Sequence, residues 1–142
     1  MLEIKNLEVF YGEFQALFDV SLKISEGETV ITVGPNGAGK TTLLKTISGL
    51  LRPRSGSITF LGQRIDGLPA HEIVELGIAH VPEGGRLFPQ LTVLENLKVG
   101  SYLKKSRQDF PLAVKEIYQL FPVLDERKRQ LADTLSGGER QM

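Results

Sequence analysis

The most informative part of this sequence is Gly34-Pro35-Asn36-Gly37-Ala38-Gly39-Lys40-Thr41-Thr42. It matches the pattern G-x-x-x-x-G-K-[ST] in full. Glycines allow backbone turns that a Cβ atom resists, so that successive N–H groups point into one concavity suited to an anion. Lys40 can reach the β- and γ-phosphate oxygens of a nucleotide, and the Thr41 hydroxyl can ligate Mg²⁺. The stretch therefore predicts a phosphate-binding loop.

The flanks of this loop have the patterns of a buried strand and an amphipathic helix. Residues 29–33 are β-branched and apolar without alternation, which predicts a buried parallel strand. After the loop, five apolar residues recur at helical spacing: Leu43, Leu44, Ile47, Leu50 and Leu51. Gly49 stands near the expected end of this helix. A strand, a loop and a helix in this order favour nucleotide binding over a glycine-rich turn that binds nothing.

The composition is that of an ordinary globular protein, with 142 residues, 41% hydrophobic and 24% charged. Lys plus Arg equals Asp plus Glu at 17 each, so no global charge favours nucleic acid or an acidic partner. The absence of cysteine excludes disulfides, thiol catalysis and zinc–thiolate sites. No basic-then-apolar leader is visible, so no secretion signal is expected. No apolar run approaches the ~18 residues of a membrane span, so no membrane-spanning helix is expected.

Alternating patterns before the loop predict two strands. Apolar and polar residues alternate over residues 2–9, with one slip in register near Asn6, and again over residues 20–25. Alternation leaves one face in water, so an antiparallel sheet is expected. Four short elements are expected after the helix: a strand at 57–61, a hairpin turn at 62–63, a helix from Pro69 to Leu76 capped by Gly77, and a strand at 78–81.

The second half of the chain carries helix signals. Residues 82–85 break regular structure, and the Thr92/Glu95 capping box then predicts a helix that begins at Thr92. A polar connector is expected around Lys104, Lys105 and Arg107; it could face lipid headgroups, although a solvated connector is favoured. A further helix is expected from an apolar stripe that Pro122 stops: Ala113, Ile117, Leu120 and Phe121.

A second motif is Leu135-Ser136-Gly137-Gly138-Glu139-Arg140-Gln141. Ser136 and Glu139 match another capping box, and the two glycines leave the first N–H donors of a helix uncovered. On the residues alone, a plain capped helix start and a second anion site are about equally supported.

This second motif resembles the signature motif of ATP-binding cassette (ABC) ATPases, and the resemblance covers essentially the whole chain. Tyr11 matches the aromatic that stacks on adenine in that family, the alternative being a strand-end Tyr that packs locally. Residues 87–97 resemble family sequence after the Q-loop. The implied fold is an α/β P-loop NTPase with an antiparallel β-subdomain and a helical subdomain. Residues 1–90 would form the nucleotide-binding core and residues 91–142 the helical subdomain.

Closer resemblance is to the ATPase subunits of bacterial branched-chain amino-acid uptake systems, with urea and short-amide importers as near relatives. It rests on residues 46–58, on Gly67-Leu68-Pro69 and on Val81-Pro82-Glu83-Gly84. Most ABC ATPases carry Gln where Glu83 stands, and the amino-acid branch commonly has Glu. The resemblance therefore implies that Glu83 serves Mg²⁺ and senses the membrane subunit.

The resemblance also implies ligands and partners. Lys40 and Glu83 would act in catalysis, Thr41 and Glu83 would serve Mg²⁺, and ATP would contact Tyr11, the whole loop 34–42 and, from a second subunit, Ser136, Gly137 and Gly138. A head-to-tail ATPase dimer, two permease subunits and, indirectly, a periplasmic binding protein are implied, at the cytoplasmic face of the inner membrane. No nucleic-acid partner is expected.

Two rival interpretations come from other classes. A nucleic-acid-associated ABC ATPase is disfavoured because residues 43–134 contain no heptad run and no aromatic-plus-basic platform. A non-catalytic nucleotide-binding fragment is the other rival. In the family, the Walker B carboxylates and the switch His follow the signature helix, whereas His71 and His80 precede it. We therefore expect a fragment of a protein of about 230 residues or more that is inactive alone.

Overall fold

The computed structural model describes residues 1–84 and 86–142, apart from the side chains of Lys104 and Lys105. The predictions made for Gly85 and for those two side chains lie outside the described residues. The chain forms two compact units, Met1–His80 and Val81–Met142.

The first unit is built on a four-stranded antiparallel sheet. Its strands are β1 (Leu2–Tyr11), β2 (Phe14–Ile24), β3 (Ser55–Phe60) and β4 (Gln63–Arg64), in the spatial order β2-β1-β3-β4. The predicted antiparallel pairing is confirmed. The predicted slip is also confirmed: the β1–β2 register shifts between Ile4 and Leu7, where Asn6 has φ +46°. β2 begins at Phe14, six residues before the predicted strand start at Val20. Asp19, with φ +46°, interrupts the extended backbone of this strand.

One face of this sheet carries the first hydrophobic core. Alternate residues of β1 point into it, which explains the buried period-two pattern of that strand. Two helices accompany the sheet, α1 (Lys40–Ile47) and α2 (Ala70–Glu75), and the predicted Pro69 start is confirmed. The fully buried members of the core are Ile4, Leu7, Val9, Ile58, Ile65, Ile73 and Thr46.

Two predicted strands are wrong. Residues 29–33 form no strand, and Ile31 and Val33 are 80% and 88% exposed. A strand exists only where its N–H and C=O groups pair with a neighbour, and within residues 1–84 and 86–142 no strand pairs with this segment. Residues 78–81 are likewise irregular, and the Ile78 N–H bonds back to the Ile73 carbonyl at 3.3 Å.

The second unit is helical. It contains α3 (Val93–Gly100), α4 (Lys104–Leu120), α5 (Pro122–Glu126), a 3₁₀ turn (Ala132–Thr134) and α6 (Gly137–Gln141). The predicted start of α3 is confirmed, since the Glu95 N–H donates to Thr92 Oγ1 at 3.3 Å and the Thr92 N–H donates to the Glu95 carboxylate at 2.8 Å. Its core centres on Val93, Leu124 and Leu135.

The predicted polar connector is wrong in extent. α4 already begins at Lys104, so Arg107 lies inside the helix, and the helix continues through Pro111. Lys and Arg are good helix formers, and the Arg107 guanidinium donates to the Tyr102 carbonyl at 2.6 and 2.8 Å. Over the described ranges, no helix has both the length and the apolar character needed to cross a membrane.

A buried hydroxyl in the second unit predicts a stabilising substitution. Within the described residues, the Tyr118 hydroxyl is buried without a hydrogen-bond partner. Burial and the nearby Asp125 carboxylate raise the pKa of Tyr118, so its hydroxyl stays neutral. The hydrogen bonds that this hydroxyl would make to water in the unfolded chain are not replaced in the folded one by any group that the structure describes. Tyr118→Phe should raise the free energy of unfolding by up to about 1 kcal/mol in urea denaturation. Tyr102→Phe, at a half-exposed tyrosine, is the matched control and should change nothing; destabilisation by Tyr118→Phe would contradict this account.

Candidate nucleotide-binding site

The loop before α1 has a backbone that requires glycine. Gly37 and Gly39 both have φ +86°, in the left-handed region that side chains disfavour. Gly39 also lies against β2: an added Cβ would stand 2.5 Å from Leu17 Cδ2 and 3.0 Å from the Ala16 carbonyl oxygen. The loop therefore depends on glycine both for its turn and for its packing against the sheet.

The Lys40 ammonium is held by the loop itself. Its Nζ donates to the Gly34 and Pro35 carbonyl oxygens, each at 2.8 Å. These acceptors are neutral, whereas phosphate oxygens are charged and form stronger hydrogen bonds with an ammonium. Lys40 is thus folded over the loop where an anion in the concavity would meet it.

The start of α1 is open to a ligand. No side chain caps this helix, and its N-cap is Gly39 itself. The first N–H groups of a helix lack intrahelical acceptors, so they suit phosphate oxygens. Thr41 is exposed at the second helical position, where its hydroxyl is accessible to a cation. The glycine loop, the ammonium and this helix start together fit a nucleoside triphosphate.

Tyr11 lies beside this helix. It ends β1, its hydroxyl is 3.5 Å from Thr42 Oγ1, and the residue as a whole is 46% exposed. The structure therefore brings Tyr11 and Thr42, the last residue of the loop motif, together in the first unit.

The remaining predicted site residues belong to the second unit. Glu83 is exposed in a turn. Ser136 is the N-cap of α6, and the predicted capping box is confirmed: the Glu139 N–H donates to Ser136 Oγ at 3.3 Å, and the Ser136 N–H donates to Glu139 Oε2 at 2.8 Å. Cβ atoms added at Gly137 or Gly138 would meet open space.

Arg127 was missed by the sequence reasoning. Its Nη1 lies 3.1 Å from Glu139 Oε1, so it braces the carboxylate that caps α6. The only sequence signal was the high charge of residues 125–130, which does not reveal which charges pair.

The Glu139 contacts predict a pH effect. Hydrogen bonds from the Ser136 N–H and hydroxyl, assisted by Arg127, lower the pKa of Glu139 below its ordinary value of 4.5. A lowered folded pKa means that the cap stabilises fully above the unfolded pKa and is lost as pH falls through the folded pKa. Glu139→Gln should therefore lower the thermal midpoint at pH 7, and the gap to the parent should close toward pH 3.

The matched control is Glu126→Gln, which removes an exposed carboxylate of α5. It should leave the midpoint almost unchanged at both pH values. A gap for Glu139→Gln that is equally wide at pH 7 and pH 3 would show that the charge of Glu139 does not stabilise α6.

The architecture of the first unit and its phosphate-binding loop are those of a P-loop nucleoside triphosphatase. The family model for the ABC transporter matches residues 17–142, so the chain belongs to the ABC transporter family of ATP-binding proteins. This confirms the resemblance inferred from the two motifs.

Curated relatives match over the whole chain. A high-affinity branched-chain amino acid transport ATP-binding protein, BraG of Pseudomonas aeruginosa, is 45% identical over 142 residues, and a probable branched-chain amino acid transport ATP-binding protein, LivF of Archaeoglobus fulgidus, is 41% identical. The chain is covered completely and spans 60% of each relative's length. A sulfate/thiosulfate import ATP-binding protein, CysA of Pectobacterium atrosepticum, is 37% identical over 99% of the chain and 43% of its own length.

Solved structures agree with this assignment. An ATP-binding subunit of an ABC transporter superposes with a TM-score of 0.83 and 31% identity, over 99% of this chain and 58% of that one. A dimeric ATP-binding cassette in a post-hydrolysis state, bound to ADP and phosphate, superposes with a TM-score of 0.77 and 29% identity, over 99% and 65%. The predicted fold class is thereby confirmed.

Proposed function

We propose that this protein is the ATP-binding subunit of an importer and that its loop at residues 34–42 binds the phosphates of ATP. The observation that carries the proposal is the Lys40 ammonium, folded over a glycine-built loop at the uncapped start of α1. Bound ATP supplies the phosphoanhydride whose hydrolysis would drive transport.

In this proposal, the chain's own residues bind and orient the nucleotide. The loop N–H groups and Lys40 neutralise phosphate charge, Tyr11 supports the base, and Thr41 offers one oxygen to Mg²⁺. Mg²⁺ is commonly held by one or two protein ligands together with nucleotide phosphates. In this proposal the cation is therefore held by Thr41 together with the nucleotide phosphates. The proposed role of Glu83 rests on its motif alone.

A second subunit is part of the proposal. Ser136, Gly137 and Gly138 would contact the γ-phosphate held by a partner ATPase, arranged head to tail. The open space around both glycines supports this arrangement. The solved ATP-binding cassette with bound ADP and phosphate is itself dimeric. Permease subunits would bind the segment from Glu83 to the start of α3, and the binding protein would act through them.

The proposed cargo is a branched-chain amino acid. It is supported by the identities of 45% and 41% to proteins named for that transport, against 37% to a sulfate/thiosulfate protein. Urea or a short amide is the alternative cargo class.

The cargo is tested by uptake in a strain that lacks the gene. Uptake of labelled leucine, isoleucine and valine should fall and should return with the intact gene but not with Lys40→Ala. Labelled urea and sulfate are the controls and should enter at unchanged rates. Loss of urea or sulfate uptake with normal leucine uptake would overturn the proposed cargo.

A further inference from the structure

Tyr11 has an aromatic neighbour across the first hairpin. β1 and β2 are joined by Gly12-Glu13, and Tyr11 stands directly opposite Phe14 in the antiparallel register. Directly opposed residues share one face of a sheet, with Cβ atoms about 4.5–5.5 Å apart. The two rings are therefore neighbours on one face.

That face is the one against which the phosphate loop packs. Val9 and Leu17 are also directly opposed, both are buried, and Leu17 is the residue that approaches Gly39. Tyr11 follows Val9 by two positions, so it shares that face, and its hydroxyl reaches Thr42 of α1. Phe14 accordingly projects on the side of the sheet that carries the loop.

Phe14 is nevertheless uncovered. The residue is 71% exposed, next to the 46% exposed Tyr11. The neighbouring aromatic of β1, Phe10, projects from the opposite face, and there the Arg54 guanidinium covers its ring at 4.4 Å from the centroid. Exposed apolar area is unfavourable in water, and a planar, apolar ligand would cover it.

We propose that Phe14 adds a second ring beside Tyr11, so that the two rings form an aromatic platform for the base of the bound nucleotide. The inference rests on the proposed function, because the phosphates in the loop place the base beside α1. Phenylalanine has no hydrogen-bonding group, so its contribution is contact with the π-face or edge of the base, which every base offers. Phe14 is thus a ligand-contacting residue for the base and leaves the phosphates to the loop.

The test compares two ligands that differ in the base. Binding of ATP and of inorganic tripolyphosphate to the full-length protein is measured by titration calorimetry for Phe14→Ala, Phe14→Trp and Phe18→Ala. Phe18 is the matched control: it lies on the same strand, is 68% exposed, and follows the inward-facing Leu17, so it projects from the other face.

Phe14→Ala should weaken ATP binding about threefold to tenfold, in line with aromatic contact energies, and leave tripolyphosphate binding unchanged. Phe14→Trp should bind ATP at least as well as the parent, and Phe18→Ala should match it. Unchanged ATP affinity in Phe14→Ala would overturn the platform, and so would an equal loss for both ligands, which marks a structural role.

The same titrations separate this inference from the proposed function. Lys40→Ala should lose both ligands if the loop is the phosphate site. If Lys40→Ala kept both affinities, the proposed function itself would fail. If Lys40→Ala lost both while Phe14→Ala lost neither, only the platform would be wrong.

Discussion

Lys40→Ala should reduce ATP affinity by about 10- to 100-fold or more. The Lys40 ammonium lies over the loop, 2.8 Å from two carbonyl oxygens, where phosphates would meet it. Charge-assisted hydrogen bonds of this kind contribute about 1.5–3 kcal/mol each, and 1.4 kcal/mol is a factor of ten. Titration calorimetry with MgATP measures the loss.

Lys45→Ala is the matched control for this prediction. Lys45 lies on the same helix, in its last turn, so the substitution removes the same charge and side chain at a distance from the loop. ATP affinity should change by less than about twofold, since surface charges act weakly through salt solution. Equal affinities for the parent, Lys40→Ala and Lys45→Ala would refute the phosphate-loop assignment.

The largest effect on stability is expected from Gly56→Ala. Gly56 has φ +90° in β3, and a Cβ there would stand 2.4 Å from the Asn6 carbonyl oxygen and 2.6 Å from the Lys5 carbonyl oxygen. Both contacts are backbone atoms of β1, so only a shift of the paired strands relieves them. We expect a loss of about 3–5 kcal/mol in the free energy of unfolding, measured by urea denaturation.

Gly62→Ala separates the collision from backbone strain. Gly62 has φ +84° in the turn between β3 and β4, and an added Cβ would meet nothing within 4 Å. This variant should lose only about 1–2 kcal/mol in the free energy of unfolding, which is the cost of the left-handed conformation for a residue with a Cβ. If Gly56→Ala cost no more than Gly62→Ala, the close approach of β1 and β3 at Gly56 would be wrong.

Local signals explain what could be predicted from the sequence. The two capping boxes, at Thr92 and Ser136, need only residues three positions apart, and both formed as predicted. The loop glycines and the alternation of β1 are equally local. Such features fix backbone conformation within one turn or one strand, and the sequence states them directly.

What failed depends on partners that are distant in sequence. The apolar pattern of residues 29–33 cannot supply the neighbouring strand that its backbone needs. The polar connector expected around Arg107 is helical instead, and α4 continues through Pro111. Pairing across space, as in Arg127 with Glu139, had no signal in the order of the residues.

The most direct test of the account is the change in backbone amide chemical shifts on addition of MgATP, followed by two-dimensional NMR of the full-length, ¹⁵N-labelled protein. The N–H groups of Gly37, Gly39, Lys40 and Thr41 should shift most, because they would donate to phosphate oxygens. Tripolyphosphate should move the same amides. Largest shifts outside residues 34–42, or none at millimolar MgATP, would contradict the claim that this loop binds the nucleotide.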